Sequence, residues 1–171
     1  MSEWLYECVV PGSPIGKGRA KGTAVGGYVR MYTPKKTADW ERSSAVVMSS
    51  YWQDAPIDDP VEVEIISLAP RPKRLLRKKD PDGVLLKPSK PDSDNICKSV
   101  LDALVMAGVL RDDSLVVHHE VWDLYSERDR GPKIAVRLRV ASSVPVDDWW
   151  NRVSQTLVSV FRVGAESDLP W

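Results

Sequence analysis

The sequence predicts an α+β domain built on a small mixed β-sheet with packed helices. Three observations carry that expectation. Short β-branched runs lie at both ends of the first 140 residues. Two segments between them space their apolar residues at three and four. Glycine- and proline-rich stretches separate the segments. At 171 residues the chain is long enough for one domain with a short appendage and a core without disulfides. The expected division is residues 1–142 as the domain and 143–171 as a C-terminal helix and tail.

Residues 3–10, rich in Trp4, Leu5, Tyr6, Val9 and Val10, read as a first strand. Residues 11–27, PGSPIGKGRAKGTAVGG, read as a flexible basic loop. The loop is no P-loop, because Gly16-Lys17 is followed by Gly18 rather than Ser or Thr. Tyr28 to Tyr32 reads as a short strand. A helix is expected next, with Thr33 as N-cap and Pro34 in first position, running to about Asp54 with Trp40, Ser44, Val47, Met48 and Tyr51 on one face. Lys35 and Lys36 fall in its first turn, where the helix dipole disfavours cations and a nearby phosphate would relieve them.

Val61 to Leu68 alternates, with Val61, Val63 and Ile65 on one face and Glu62 and Glu64 on the other, as in a half-exposed strand. Residues 70–91 hold five prolines and read as a long basic loop. Loops of that length are usually functional or disordered. A second helix follows from Ile96, Val100, Leu101, Leu104 and Val105, with Asp94 as N-cap and Gly108 as the stop. Leu115–Tyr125 and Ile134–Val140 are expected to form a hairpin joined by Ser126 to Lys133. Trp150, Val153, Leu157, Val160 and Phe161 make a last helical stripe.

Lysine plus arginine and aspartate plus glutamate balance at 24 each, so overall charge argues weakly against nucleic-acid binding. The charges are segregated, however. Residues 17–42 hold seven basic residues against two acidic, and residues 71–90 hold eight against two. Such segments can form a basic stripe on a neutral protein. The candidate DNA contacts are Lys17, Arg19, Lys21, Lys35, Lys36, Arg71, Lys73, Arg74, Arg77, Lys78 and Lys79, with binding that weakens as salt rises. Cys8 and Cys97 match no metal spacing and read as free thiols of a reducing cytosol. No stretch is apolar enough to span a membrane, and MSEWLYECVV lacks a basic leader, so the expected location is cytoplasmic.

The chemistry concentrates in KPDSDNICKSVLDALVMAGVLRDDSLVV, residues 90–117. Asp94 and Lys98 lie one helical turn apart, and Asp92 precedes them. The chain's return after Gly108 is expected to bring Asp112 and Asp113 beside them. Two carboxylates about 4 Å apart repel by roughly 4 kcal/mol at an effective dielectric of about 20, which a divalent cation would relieve. Hard oxygen donors suit Mg²⁺, with Mn²⁺ as a substitute, and such ions serve phosphoryl transfer. The plainer alternative is a helix cap, an i,i+4 ion pair and a polar turn. His118 and His119 are adjacent on a strand and read as surface or packing residues.

The motif Lys90-Pro91-Asp92-x-Asp94-Asn95-x-x-Lys98, then Leu101-Asp102-Ala103-Leu104, Gly108 and Asp112-Asp113, resembles the RusA family of Holliday junction endodeoxyribonucleases. Lys17-Gly18-Arg19, Tyr32-Thr33-Pro34-Lys35-Lys36-Thr37 and Trp40-Glu41 extend the resemblance over roughly residues 5 to 140. It implies catalytic Asp92, Asp94, Lys98 and Asp113. The three aspartates would be metal ligands, and Asp112 an additional candidate. It further implies a homodimer, branched DNA as substrate, cleavage to 5′-phosphate and 3′-hydroxyl ends, a role in recombination and repair, and a bacterial or phage source.

The terminal Glu166-Ser167-Asp168-Leu169-Pro170-Trp171 is similar to the acidic tip of bacterial single-stranded DNA-binding proteins, which implies docking on a replication or repair protein. Two alternatives remain at this level. One is a non-catalytic branched-DNA-binding protein. The other is a D-x-D phosphatase or glycosyltransferase, disfavoured because Lys87 to Pro91 is polar where those motifs follow an apolar strand.

Overall fold

The computed structural model describes residues 4–141, so the helical stripe and acidic tip of 143–171 lie outside the described residues. Its elements are β1 (Tyr6–Pro11), β2 (Lys21–Val25), β3 (Tyr28–Tyr32), α1 (Lys35–Ser49), β4 (Val61–Ala69), β5 (Leu85–Leu86), α2 (Ser93–Met106), β6 (Val116–Tyr125) and β7 (Lys133–Val140). Five strands form one sheet in the order β1-β7-β4-β6-β5, and β2 pairs with β3 apart from it. β4 and β6 run parallel while the other pairings are antiparallel, which gives the expected mixed sheet of an α+β domain. A parallel pair needs a crossover, and α2 lies within the connection from β4 to β6.

The sheet's inner face supplies Tyr6, Cys8 and Val10, then Val61, Val63 and Ile65, then Ile134, Val136 and Leu138. Met48 of α1 and Ile96, Val100 and Leu104 of α2 close over it. The spacing of those α2 residues is what makes a helix with one buried stripe. On the outer face Glu62 and Glu64 meet Arg139 and Arg137 at 2.6 Å each, the half-exposed side that the alternation predicts. Burial pushes the thiol of Cys97 up to about 11 and raises that of Cys8 as well. Both should therefore resist alkylation in the native protein near pH 8 and react once it is denatured, as followed by mass spectrometry. Rapid native labelling of either would contradict their burial.

Four local expectations change. β6 and β7 do not form a hairpin, because β4, whose Val61, Val63 and Ile65 are fully buried, takes the position between them. The basic loop at 11–27 contains β2, turned into β3 by Gly26 and Gly27 at φ 58° and 85°. Two consecutive positive φ values are what a two-residue hairpin turn requires, and glycine supplies them without strain. α1 is capped by Pro34 instead of Thr33, since Pro34 is extended at ψ 137°, and the helix stops at Ser49, short of Asp54. α2 is capped by Asp92 instead of Asp94, while Gly108 at φ 72° follows its end as expected.

The 70–91 segment is also more ordered than its composition suggests. It carries a 3₁₀ turn, Lys73–Leu75, and strand β5. Arg71 is buried, and its guanidinium donates to the carbonyls of Ser126, Pro81, Asp82 and Gly83. Arg128 ties the same loop from the other side, reaching Leu76 O at 3.0 Å, Arg77 O at 3.1 Å and Asp80 O at 2.7 Å. Among the described residues no helix is long and apolar enough to cross a membrane.

Candidate active site

The N-terminus of α2 presents the carboxylates outward. Asp92 serves as the cap through its carbonyl, which accepts from Asn95 N and Ile96 N at 3.1 Å each. Its side chain makes no capping bond and is exposed. Asp94 and Lys98 pair one turn apart, with Lys98 Nζ 3.3 Å from Asp94 Oδ2 and both side chains 62% exposed. An exposed pair of this kind contributes only about 0.3–0.5 kcal/mol, so stability gives little reason for the arrangement. Ile96 and Cys97 on the opposite side are buried, which fixes the face that Asp94 and Lys98 show to solvent.

Two internal cations hold this helix start in place. Lys17 donates its backbone N–H to Asn95 O at 2.8 Å. Its ammonium lies 2.8 Å from Glu41 Oε1 and also pairs with Asp102. Burial pulls the Lys17 pKa down, but the hydrogen bonds to Asp102 and Glu41 outweigh it and leave the value raised. Gly16 lies so close to the helix start that a Cβ there would come within 2.6 Å of Pro91 Cβ. Gly18 N reaches Thr37 Oγ1 of α1 at 3.2 Å. On the far side Lys87, buried, binds Pro91 O and Asp123 Oδ2 at 2.8 and 2.6 Å.

Asp112 and Asp113 lie at the 3₁₀ turn Asp113–Leu115, which touches α2. Asp112 Oδ1 accepts from Ser114 N at 2.9 Å, and the hydrogen bonds from Ser114 lower its pKa. Asp113 is exposed. The expected convergence of all these carboxylates does not take place as a preformed cage: among the described residues no three His, Cys, Asp or Glu side chains form a metal-binding group. At about 1.5 Å per residue the fourteen residues of α2 span about 21 Å. Asp113 follows the helix end opposite to Asp92, and one oxygen of Asp112 is already engaged. The donor chemistry still fits Mg²⁺, which keeps several waters and binds through one or two carboxylates plus substrate phosphates. Asp92 and Asp94 provide such an open, all-oxygen pair.

The basic candidates divide. Arg19, Lys35, Lys36, Lys73, Arg74, Arg77, Lys78 and Lys79 are exposed. Arg77 is engaged with Asp80 at 3.2 Å. Lys35 and Lys36 do occupy the first turn of α1, which has no acidic residue to offset them. Arg71 is buried on backbone carbonyls, and half-buried Lys17 is paired with Glu41 and Asp102, so both brace the fold. The side chain of Lys21 lies outside the described residues. His118 and His119 are exposed on β6, paired in register with Glu62 and Val63 and so on opposite faces. Sequence reasoning missed Glu41, Lys87, Asp102 and Asp123 as buried or half-buried partners. For Glu41 a signal existed, its place four residues from Thr37 and Ala45 on the core-facing side of α1.

"Uncharacterized protein YqaN" of Bacillus subtilis (strain 168) is 33% identical over 139 residues, covering 78% of this chain and 95% of that protein. The family model described as "Endodeoxyribonuclease RusA" matches residues 11–139, a span that includes both braces and the whole Asp92-to-Asp113 segment. With the mixed sheet and the carboxylate-bearing helix start in place, this match assigns the chain to the RusA endodeoxyribonuclease family.

Proposed function

We propose that the protein is a Mg²⁺-dependent, structure-selective endonuclease that resolves four-way DNA junctions by paired nicks. The observation that carries the reading is the Asp92–Asp94–Lys98 group, solvent-facing on a helix start held from two sides, in a chain of this nuclease family. Asp92 and Asp94 would hold the cation, whereas Asp113, at the opposite end of α2, would not reach it within one subunit. Bound there, a divalent ion supplies Lewis-acid stabilisation of the phosphate and a lowered pKa for water.

The protein's own part is positional and electrostatic. Lys98 Nζ, restrained by Asp94, offers its remaining N–H groups to a phosphate oxygen and offsets the charge that builds there. Lys35 and Lys36, uncompensated at the start of α1, gain from a phosphate backbone laid beside them. The exposed cations of 73–79 extend the surface that a phosphate backbone would contact. A homodimer would set two such sites about a two-fold axis, matched to the opposed strands of a junction.

A supercoiled plasmid that extrudes a cruciform tests this reading. Coordinated cutting at the junction converts it to linear DNA with symmetric ends, while the same plasmid without the inverted repeat stays intact. Nicked circles as the sole product, or equal cutting of both plasmids, would contradict paired junction resolution. Binding of the junction with no cutting in Mg²⁺ or Mn²⁺ would favour a non-catalytic junction-binding protein.

A further inference from the structure

Lys87 is a buried ammonium, with only 4% of its side chain exposed, in a segment whose cations from 73 to 79 face solvent. A lysine ammonium has three N–H groups. Here all three are used: Ser89 O at 2.7 Å, Pro91 O at 2.8 Å and Asp123 Oδ2 at 2.6 Å. Asp123 is itself fixed, since its Oδ1 accepts from the fully buried Ser67 hydroxyl at 3.0 Å. Ser89 Oγ and the Tyr125 hydroxyl add a bond of 2.9 Å beside them. The strand pair β4–β6 thus carries a polar anchor on its inner side, and the anchor's free end holds the segment running into α2.

The carbonyls chosen are informative. Pro91 O belongs to the peptide immediately before Asp92, so the ammonium fixes the backbone from which the Asp92 carboxylate projects. A buried ion pair is often no more stabilising than apolar packing of similar volume. An anchor aimed at two carbonyls on one side of a single aspartate fits the holding of geometry better than the holding of stability.

We propose that Lys87 is a positioning residue for cleavage: anchored by Asp123, it sets the placement of Asp92, and through it the first turn of α2 with Asp94 and Lys98. The inference rests on the nuclease reading above for its consequence, though not for its structural content. Misplacing a reacting group by about 1 Å can cost on the order of 10²-fold in rate.

Lys87→Met alone would strand the Asp123 carboxylate, so the informative comparison is between Asp123→Asn and the double variant Lys87→Met/Asp123→Asn. The single variant removes the carboxylate charge but keeps an amide oxygen as a third acceptor, so the lysine stays on its two carbonyls, whereas the double also removes the ammonium. Two readouts are taken, neither of which a general loss of stability would reproduce. In amide hydrogen exchange without DNA or metal, Asn95 and Ile96, which donate to Asp92 O, should exchange about tenfold faster in the double variant than in the single, with Val100 and Leu104 unchanged. In junction cleavage, kcat should fall about 10-fold or more between the two, with junction Kd within about twofold.

Equal exchange at Asn95 and Ile96 in both variants would overturn the proposal. So would a parallel rise along the whole of α2, which would mean that Lys87 serves only stability, and so would equal kcat values with altered exchange. A wild-type protein that cuts no junction would refute the nuclease reading, while the exchange comparison would still decide whether Lys87 holds the helix start.

Discussion

Replacing Asp94 with asparagine should lower the single-turnover rate of junction cleavage by about 10³-fold, or about 4 kcal/mol of transition-state stabilisation, while junction binding stays within about threefold. The structure makes the two effects separable. Asp94 is exposed and, among the described residues, its ionic partner is Lys98, itself exposed at 3.3 Å, so loss of the pair removes only a few tenths of a kcal/mol from the fold. Asparagine keeps the shape and the hydrogen-bonding capacity but removes the negative charge that a divalent cation needs. On the proposed reading, binding rests on the exposed cations at the start of α1 and of 73–79, which the substitution leaves in place. The check is a rate measured at saturating enzyme, paired with a gel-shift titration in the presence of chelator. A rate within threefold of wild type would remove Asp94 from the site.

Lys17→Met should cost roughly 3 kcal/mol of stability. The cause is Glu41, whose side chain is only 6% exposed and would be left charged without its partner, together with the half-buried Asp102. A loss of that size should lower Tm by roughly 6–12 °C for a domain of this size. Adding Glu41→Gln to Lys17→Met should recover a good part of it, because the stranded charge is then gone. The pH dependence follows from the raised pKa of Lys17. A cation whose folded pKa exceeds its unfolded value contributes fully below the unfolded value, near 10.5, and loses that contribution as pH rises through the folded value. The stability gap between wild type and Lys17→Met should therefore stay level up to about pH 9.5 and narrow above about 10.5. Denaturant melts across that range measure it. A Tm unchanged by Lys17→Met would mean that the lysine faces solvent and is available to DNA.

The second helix and the inner face of the sheet were legible in sequence for a physical reason. Ile96, Val100 and Leu104 recur at helical spacing, and Val61, Val63 and Ile65 alternate, so each run has one way to bury its apolar side. The β2–β3 hairpin was not read, although Gly26-Gly27 offers its turn, because the basic, glycine-rich residues around it have the composition of a loop. Strand order was not legible. That β4 lies between β6 and β7 follows from long-range packing, and local alternation is the same in a hairpin as in two strands separated by a third.

Among the site residues, Asp92, Asp94 and Lys98 stood out because their spacing is local. The inward use of Lys17, Arg71 and Lys87 did not, because a cation in a polar loop has the same sequence signature whether it meets a phosphate or buried oxygens. Their decisive partners, Asp102, Ser126 and Asp123, lie 85, 55 and 36 residues away.

Metal-dependent cutting of branched DNA by the α2 carboxylates is tested by a single comparison. A labelled four-way junction is incubated beside a linear duplex of matching sequence, once with Mg²⁺ and once with chelator. Symmetric nicks confined to the junction and abolished by chelator are the predicted result. Cleavage that persists in chelator, or that consumes the linear duplex equally, would contradict it.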